Sequence, residues 1–298
     1  MSETAASAGL WIPGQPLEVP YQIPTPEAFR ERFVQGVWGG QVETATLPRS
    51  LSVLRLNEEP PTAIAFLDMD DLVGNLGGTL RGLQHSYDDT EPETFTHDYG
   101  RDMFFDDQDT AIKWPLIRLL KQNGQPGIGM RPVREIDAIT SMVQSWRAAG
   151  VYVAFITSAI DGAELSHVDF LAKHFQGACD GIVITSGHYQ LVDKGVAAAE
   201  VVDFVGAKPG MPIVHLDDIG HNTKKVRAAL DSHPSEPIVA TFQHVFDHDS
   251  HLGEDPGSIH GRTPLETFER ANEFLASQLG RQIHIPLAKV VRLSPLSM

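Results

Sequence analysis

Ala63-Ile64-Ala65-Phe66-Leu67-Asp68-Met69-Asp70-Asp71-Leu72-Val73 is the stretch whose reading decides the fold. Five apolar residues run without interruption and then meet carboxylates at Asp68, Asp70 and Asp71. A strand with one wet face alternates polar and apolar residues, whereas a strand covered on both faces does not. The run therefore reads as a buried parallel strand. Its acids fall at the carboxyl end, and ligands of open α/β sheets bind in the crevice outside that end. Asp68 there would serve as nucleophile and metal ligand, and Asp70 would give a proton to a leaving group and later take one from water. The same residues also fit a plain strand-to-loop junction with solvated acids, and the rest of the chain decides between the two.

Downstream, the pattern repeats. Apolar residues at Val133, Ile136, Ile139, Val143 and Trp146 mark an amphipathic helix closed by Gly150. Val151 to Ile156 is a second buried strand, ending at Thr157-Ser158. A helix over Gly162 to Phe175, a strand over Gly181 to Ile184, and a helix from Lys194 to Phe204 follow. Pro212 to Leu216 is the next strand and breaks off at Asp217-Asp218. A helix over Asn222 to Leu230 and a last strand over Pro237 to Phe242 complete the series. Strands alternating with helices at this spacing predict an α/β fold, a parallel sheet joined by right-handed crossovers, with helices on both faces.

Upstream, Thr25 and Pro26 open a short helix to about Gly36 behind a proline-rich arm, and Leu51 to Leu56 reads as a strand completing a sheet edge. Between Leu72 and Arg131 lie glycines and scattered acids, a stretch too long for a plain loop in a compact domain. It reads as a small, mainly helical cap with a helix through Thr110 to Leu120, its uneven acids a solvated face. The expected organisation is thus an N-terminal arm with a short helix and strand over 1–60, a core over 61–71 and 132–298, and a cap insertion over 72–131. No internal repeat is visible.

Parallel strands all point one way, so their polar tips meet at one edge although they are far apart in sequence. Asp68, Asp70, Asp217 and Asp218 would there form a hard oxygen site suited to Mg²⁺. Thr157 and Ser158 would contact a phosphate through hydroxyl and amide groups, and Lys194 would neutralise charge on the transferring group. Each has a plainer alternative. An acidic pair after a strand also caps helices, as does a strand-ending Thr, and Lys173, Lys208 and Lys224 compete with Lys194.

Bulk properties limit the partners. Lys+Arg number 23 against Asp+Glu 39 in 298 residues, a formal charge of −16, with no long basic run. Nucleic acid and anionic membrane are therefore not expected partners, while a small phosphorylated substrate held with a metal ion is compatible. A single cysteine, Cys179, forms no internal disulfide and reads as a buried thiol in a reducing compartment. Glu3 stands where a signal peptide wants a base, no apolar segment follows it, and no run of about 18 apolar residues occurs. The expected location is cytoplasmic. His244 and His248 would share a face if helical, in the manner of a zinc pair, but the Asp- and Gly-rich surroundings of 244–251 favour a surface loop. Thr263 to Leu279 forms a terminal helix whose stripe of Leu265, Phe268, Ala271, Phe274 and Leu275 is core packing or a homodimer contact.

Together these stretches resemble the haloacid-dehalogenase-like (HAD) superfamily of phosphotransferases. Asp68-Met69-Asp70 is similar to its first motif, Phe155-Ile156-Thr157 to its second, Lys194 to the lysine of its third, and Val214 to Asn222 to its acidic fourth. The resemblance covers Ile64 to Phe242. Where the family places Thr or Val two residues after the second Asp, this chain has Leu72. The resemblance implies a Rossmann-like core with a cap between the first and second motifs. It also implies a Mg²⁺-dependent phosphatase with Asp68 as nucleophile and Asp70 as acid/base, since an acid at that place marks transfer to water. A nucleotidase, a phosphotransferase, and a module that binds a phosphorylated partner without turnover are the alternatives.

Overall fold

A computed structural model of the chain describes residues 23–57, 59–74, 132–159, 162–185, 193–245 and 254–283. Helix α1 (Pro26–Phe33) starts as its residues require: Thr25 accepts the Ala28 N–H at 3.2 Å and Pro26 fills the first turn, where a missing N–H costs nothing. Phe29 and Phe33, one turn apart, are buried. The expected continuation to Gly36 is instead a π-helical turn, Val34–Trp38, ended by Gly39 at φ 70°. A Cβ on Gly36 would stand 3.0 Å from the Ala172 methyl, so this turn packs too closely for a side chain.

The strands are β1 (Thr44–Ala45), β2 (Leu51–Arg55), β3 (Ala63–Leu67), β4 (Val151–Thr157), β5 (Gly181–Ile184), β6 (Pro212–Asp217), β7 (Ile238–His244) and β8 (Ile259–Gly261). They form one sheet in the order β1-β2-β5-β4-β3-β6-β7-β8. From β5 to β8 every pairing is parallel, while β2 joins β5, and β1 joins β2, antiparallel. Two expectations need correction. The strand at Leu51 is not the rim, because β1 lies outside it. The strand at Ile238 is not the last, because β8 pairs with it.

The crossover helices are α2 (Ile136–Ala148), α3 (Glu164–His174), α4 (Lys194–Phe204) and α5 (Gly220–Asp231), with α6 (Pro264–Gln278) at the end. Alternate residues of the strands enter two separate cores. Ala63, Ala65, Leu67, Val153 and Phe155 pack with Phe29, Ile139, Trp146, Leu171 and Phe268, so α1, α2, α3 and α6 cover one face. Ile64, Phe66, Tyr152, Ala154 and Ile213 pack with Val201, Val202, Val226 and Leu230, so α4 and α5 cover the other. Burial on both sides explains the unbroken apolar run, each large side chain contributing about 1.5–3 kcal/mol. The stripe on α6 packs on this core: Phe268 stacks on Trp146 with centroids 5.7 Å apart, and the Trp146 indole N–H donates to Asn272 Oδ1 at 2.9 Å.

After β3 the chain makes a tight turn. The Gly74 N–H donates to the Met69 carbonyl at 2.8 Å and the Asp71 N–H to the Gly74 carbonyl at 2.6 Å. Asp71 adopts φ 55°, a left-handed conformation that Asp tolerates better than most residues. Leu72 and Val73 are buried in the first core. Gly74 then pairs with Pro132, and the Val133 N–H donates to the Val73 carbonyl at 2.9 Å. The chain thus leaves and re-enters at one place beside the carboxyl end of β3, and Val133, expected in the helix, serves this junction. The intervening 75–131, with the expected cap helix, lies outside the described residues, as do the arm 1–22 and the histidines at 248 and 251.

Candidate active site

The order of strands reverses between β3 and β6. From β3 the chain works outward through β4 to β5, then crosses back to β6 and continues outward through β7 to β8. The crossover helices α2 and α3 lie on one face, α4 and α5 on the other, so the carboxyl ends of β3 and β6 diverge around a crevice at the topological switch point. Asp68 stands just past β3, and its N–H donates to the Leu216 carbonyl of β6 at 2.9 Å. Asp217 ends β6, and Asp218 follows.

Ligand atoms of Asp68, Asp217 and Asp218 lie within 4.8 Å of one another, and all three residues are buried. Lys194, the first residue of α4, reaches between two of them. Its Nζ is 2.9 Å from Asp68 Oδ1 and donates to Asp217 Oδ2 at 2.7 Å. A cation in the first helical turn opposes the helix dipole by roughly 0.3–1 kcal/mol, so the position is explained by its partners rather than by helix formation. Lys173, Lys208 and Lys224 are exposed, whereas Lys194 is buried.

The two adjacent acids are in different states. Asp217 is engaged by Lys194 on one oxygen, and by the Ile219 N–H at 2.9 Å and Asn222 Nδ2 at 3.1 Å on the other. Burial works to raise its pKa, but Lys194 and His215 together overcome burial and hold it below the ordinary carboxylate range. Among the described residues Asp218 has no hydrogen-bond donor on either oxygen, although it is 1 % exposed. Burial, and then the charges of Asp217 and Asp68, push it well up. Asp68 is raised to about 7, first by burial, with Lys194 opposing and Asp217 and Asp70 adding to the rise. Lys194 is held above the usual lysine range because Asp217 and Asp68 together overcome its desolvation.

Three buried carboxylates against one ammonium leave negative charge uncompensated, and an uncompensated buried charge costs several kcal/mol. Hard oxygen donors at this spacing, with both Asp218 oxygens lacking a donor among the described residues, fit a divalent cation of the Mg²⁺ type. Asp70 is not one of the three grouped carboxylates. It lies half-buried in the turn after β3, bridged to Gly74, where its charge reaches Asp68.

Thr157 ends β4 beside β3, fully buried, and its Oγ1 has no hydrogen-bond partner among the described residues. Its carbonyl accepts from the Thr185 N–H at 2.9 Å. Ser158, one residue on, is exposed and shares a 3.2 Å hydrogen bond with Thr185 Oγ1. No motif in the sequence singles out His215, whose Nε2 lies 3.5 Å from Asp217 Oδ2 on the same side of β6. It is fully buried, and desolvation lowers its pKa so that it faces Lys194 and Asp217 as a neutral ring. Only its alternation with Asp217 along the strand would have revealed it. His244 is buried, with Nδ1 3.3 Å from the Gly261 carbonyl. Among the described residues the single cluster able to hold a metal is the carboxylate trio.

No family model matches the sequence, and no curated protein matches it. Among solved structures, the chain is similar to a HAD-superfamily hydrolase from Ehrlichia chaffeensis, with TM-score 0.44 and 11% identity over 75% of this chain and 100% of that one. It is also similar to a haloacid dehalogenase-like family hydrolase from Xanthomonas campestris, with TM-score 0.43 and 11% identity over 82% and 100%. A D,D-heptose 1,7-bisphosphate phosphatase from Burkholderia thailandensis gives TM-score 0.36 and 10% identity over 72% and 99%. At these identities and TM-scores the chemistry has to be read from the site itself.

Proposed function

We propose that this chain is a Mg²⁺-dependent phosphatase that hydrolyses a small phosphomonoester through an aspartyl-phosphate on Asp68. The observation that carries the reading is the meeting of Asp68, Asp217 and Asp218 at the switch point, with Lys194 between two of them and the unpartnered Thr157 hydroxyl at the end of the neighbouring strand.

Asp68, Asp217 and Asp218 would hold the cation, which supplies charge compensation for the phosphate oxygens. An Asp68 carboxylate oxygen attacks phosphorus, the bond to the ester oxygen breaks, and Asp70 delivers the proton that the leaving alkoxide takes. Asp70, now ionised, removes a proton from water, and the resulting hydroxide attacks phosphorus to release inorganic phosphate and free Asp68. Lys194 and Thr157, with Ser158 at the rim, bind the equatorial oxygens where charge develops. The raised pKa of Asp68 belongs to the protein without a cation, and positive charge brought beside it favours the nucleophilic carboxylate.

A panel of phosphomonoesters with Mg²⁺ tests the assignment. Wild type should hydrolyse at least one ester, and Asp68→Asn, which keeps the shape and removes the nucleophile, should lower the rate by about 10³-fold or more. Unchanged hydrolysis in Asp68→Asn would end the assignment. Binding of phosphorylated ligands without turnover of any ester would move the site to recognition.

A further inference from the structure

The turn that carries Asp218 is held by a ring of buried and half-buried polar groups contributed by β7, α5 and the stretch before β8. Gln243, on β7 opposite Asp217 in the sheet register, is buried. Its Nε2 donates to the Asp218 carbonyl at 3.2 Å, and its Oε1 accepts the Asp255 N–H at 2.8 Å. A backbone acceptor at one end and a backbone donor at the other fix which way the amide lies. The Asp255 carboxylate, 3% exposed, accepts from both terminal nitrogens of Arg227 at 2.6 and 2.7 Å and from Thr223 Oγ1 at 3.1 Å. Ser258 Oγ at 2.7 Å and the Gly257 N–H at 3.1 Å complete its partners.

Thr223 and Arg227 lie on α5, the helix that begins at Gly220, two residues after Asp218. The ring therefore closes: from Asp218 into α5, from α5 through Asp255 to Gln243, and from Gln243 back to the Asp218 carbonyl. Both ends of the short Asp218–Gly220 turn are tied to one rigid bidentate pair. Asp218 needs such support, because among the described residues no donor grips its side chain. A carboxylate in that state keeps its aim only through its backbone.

We propose that Gln243 is a positioning residue for the cation site: by anchoring the Asp218 peptide to the Asp255–Arg227 pair, it holds a desolvated carboxylate in place before the ion arrives and so raises affinity for divalent cations. This rests on the reading of Asp68, Asp217 and Asp218 as a cation site. Groups behind the ligands of metal sites typically account for about ten- to hundredfold in affinity.

The test is calorimetric titration of Mg²⁺, and of Mn²⁺ as a second probe, into wild type, Gln243→Met and Gln243→Glu, with thermal unfolding of each in the absence of metal. Gln243→Met keeps the volume and loses both hydrogen bonds. Gln243→Glu keeps the acceptor for Asp255 and loses the donor to Asp218, so it retains the half of the interaction that closes the ring onto β7. Both should bind the cation about tenfold or more weakly. Gly181→Ala, which disturbs the sheet far from the crevice, should lower the melting temperature and leave the cation Kd unchanged. Wild-type affinity in either Gln243 variant overturns the positioning role alone. Absence of Mg²⁺ and Mn²⁺ binding by wild type overturns the cation site itself.

Discussion

At Thr157 stability and the proposed chemistry pull apart. A buried hydroxyl without a partner forfeits about 1–3 kcal/mol of solvation, and its isostere valine would suit a fully buried β-strand at least as well. Thr157→Val should therefore leave the melting temperature unchanged or slightly raised, while phosphate-ester turnover falls by roughly 10–100-fold. Unfolding curves and kcat/KM on one ester check both halves. Full activity in this variant would remove the hydroxyl from the site. Cys179 stands at the opposite extreme: it is fully buried, burial raises its thiol, and its carbonyl accepts the Trp38 indole N–H at 2.8 Å. It is a small apolar residue of the core.

At the scale of elements, α4 matters because it presents Lys194. Its second residue, Gly195, lies so close to α5 that a Cβ would fall 2.7 Å from the Lys225 carbonyl oxygen, a backbone atom that cannot move aside cheaply. Gly195→Ala should push the start of α4 off α5, cost about 1–3 kcal/mol of stability, and lower kcat/KM because Lys194 moves with it. Gly181 makes the matching comparison. A Cβ there would meet Leu54 Cδ2 at 2.6 Å and the Val53 carbonyl at 2.8 Å, where β5 pairs with β2, away from the crevice. Gly181→Ala should cost a similar amount of stability and leave activity intact. Equal loss of activity in the two variants would mean that α4 does not position the lysine.

Across the whole molecule, the sheet gathers acids from strands about 150 residues apart in sequence into a setting with too few cations. The consequence can be measured through pH. Asp68 and Asp218 are held above the ordinary carboxylate value of 3.8, Asp68 at about 7. In protein without metal, their contribution to stability is complete below the ordinary value and is lost as pH rises through the raised one. Over that same rise the oxygens become available to a cation, since protons and metal compete for them. Mg²⁺ at about a hundredfold excess over Kd adds roughly 2.7 kcal/mol, or about 4 °C in a chain of this size. That increment should approach its full value at pH 8 and shrink markedly at pH 5.5. An increment independent of pH would mean that the ion binds elsewhere. Among the described residues, no helix is long and apolar enough to cross a membrane.

The sequence by itself determined the parallel sheet and the edge at which Asp68, Thr157 and Asp217 lie. A strand buried on both faces is apolar along its length, so β3 and β4 stand out as unbroken runs and β6 as a run interrupted only by His215, and the polar residue that ends each run is at the carboxyl edge. The structure alone decided which groups engage which. Asp217 is taken up by Lys194, Ile219 and Asn222 while Asp218 has no donor among the described residues, although the two are adjacent and identical. It also supplied β8, three residues that are a strand only because β7 lies beside them, and the link from Gln243 to Asp218 across 25 positions. Hydropathy leaves a periodic trace along the chain because burial acts on every residue of an element. A hydrogen bond between distant residues leaves none, because it is set by where the backbone brings two groups together.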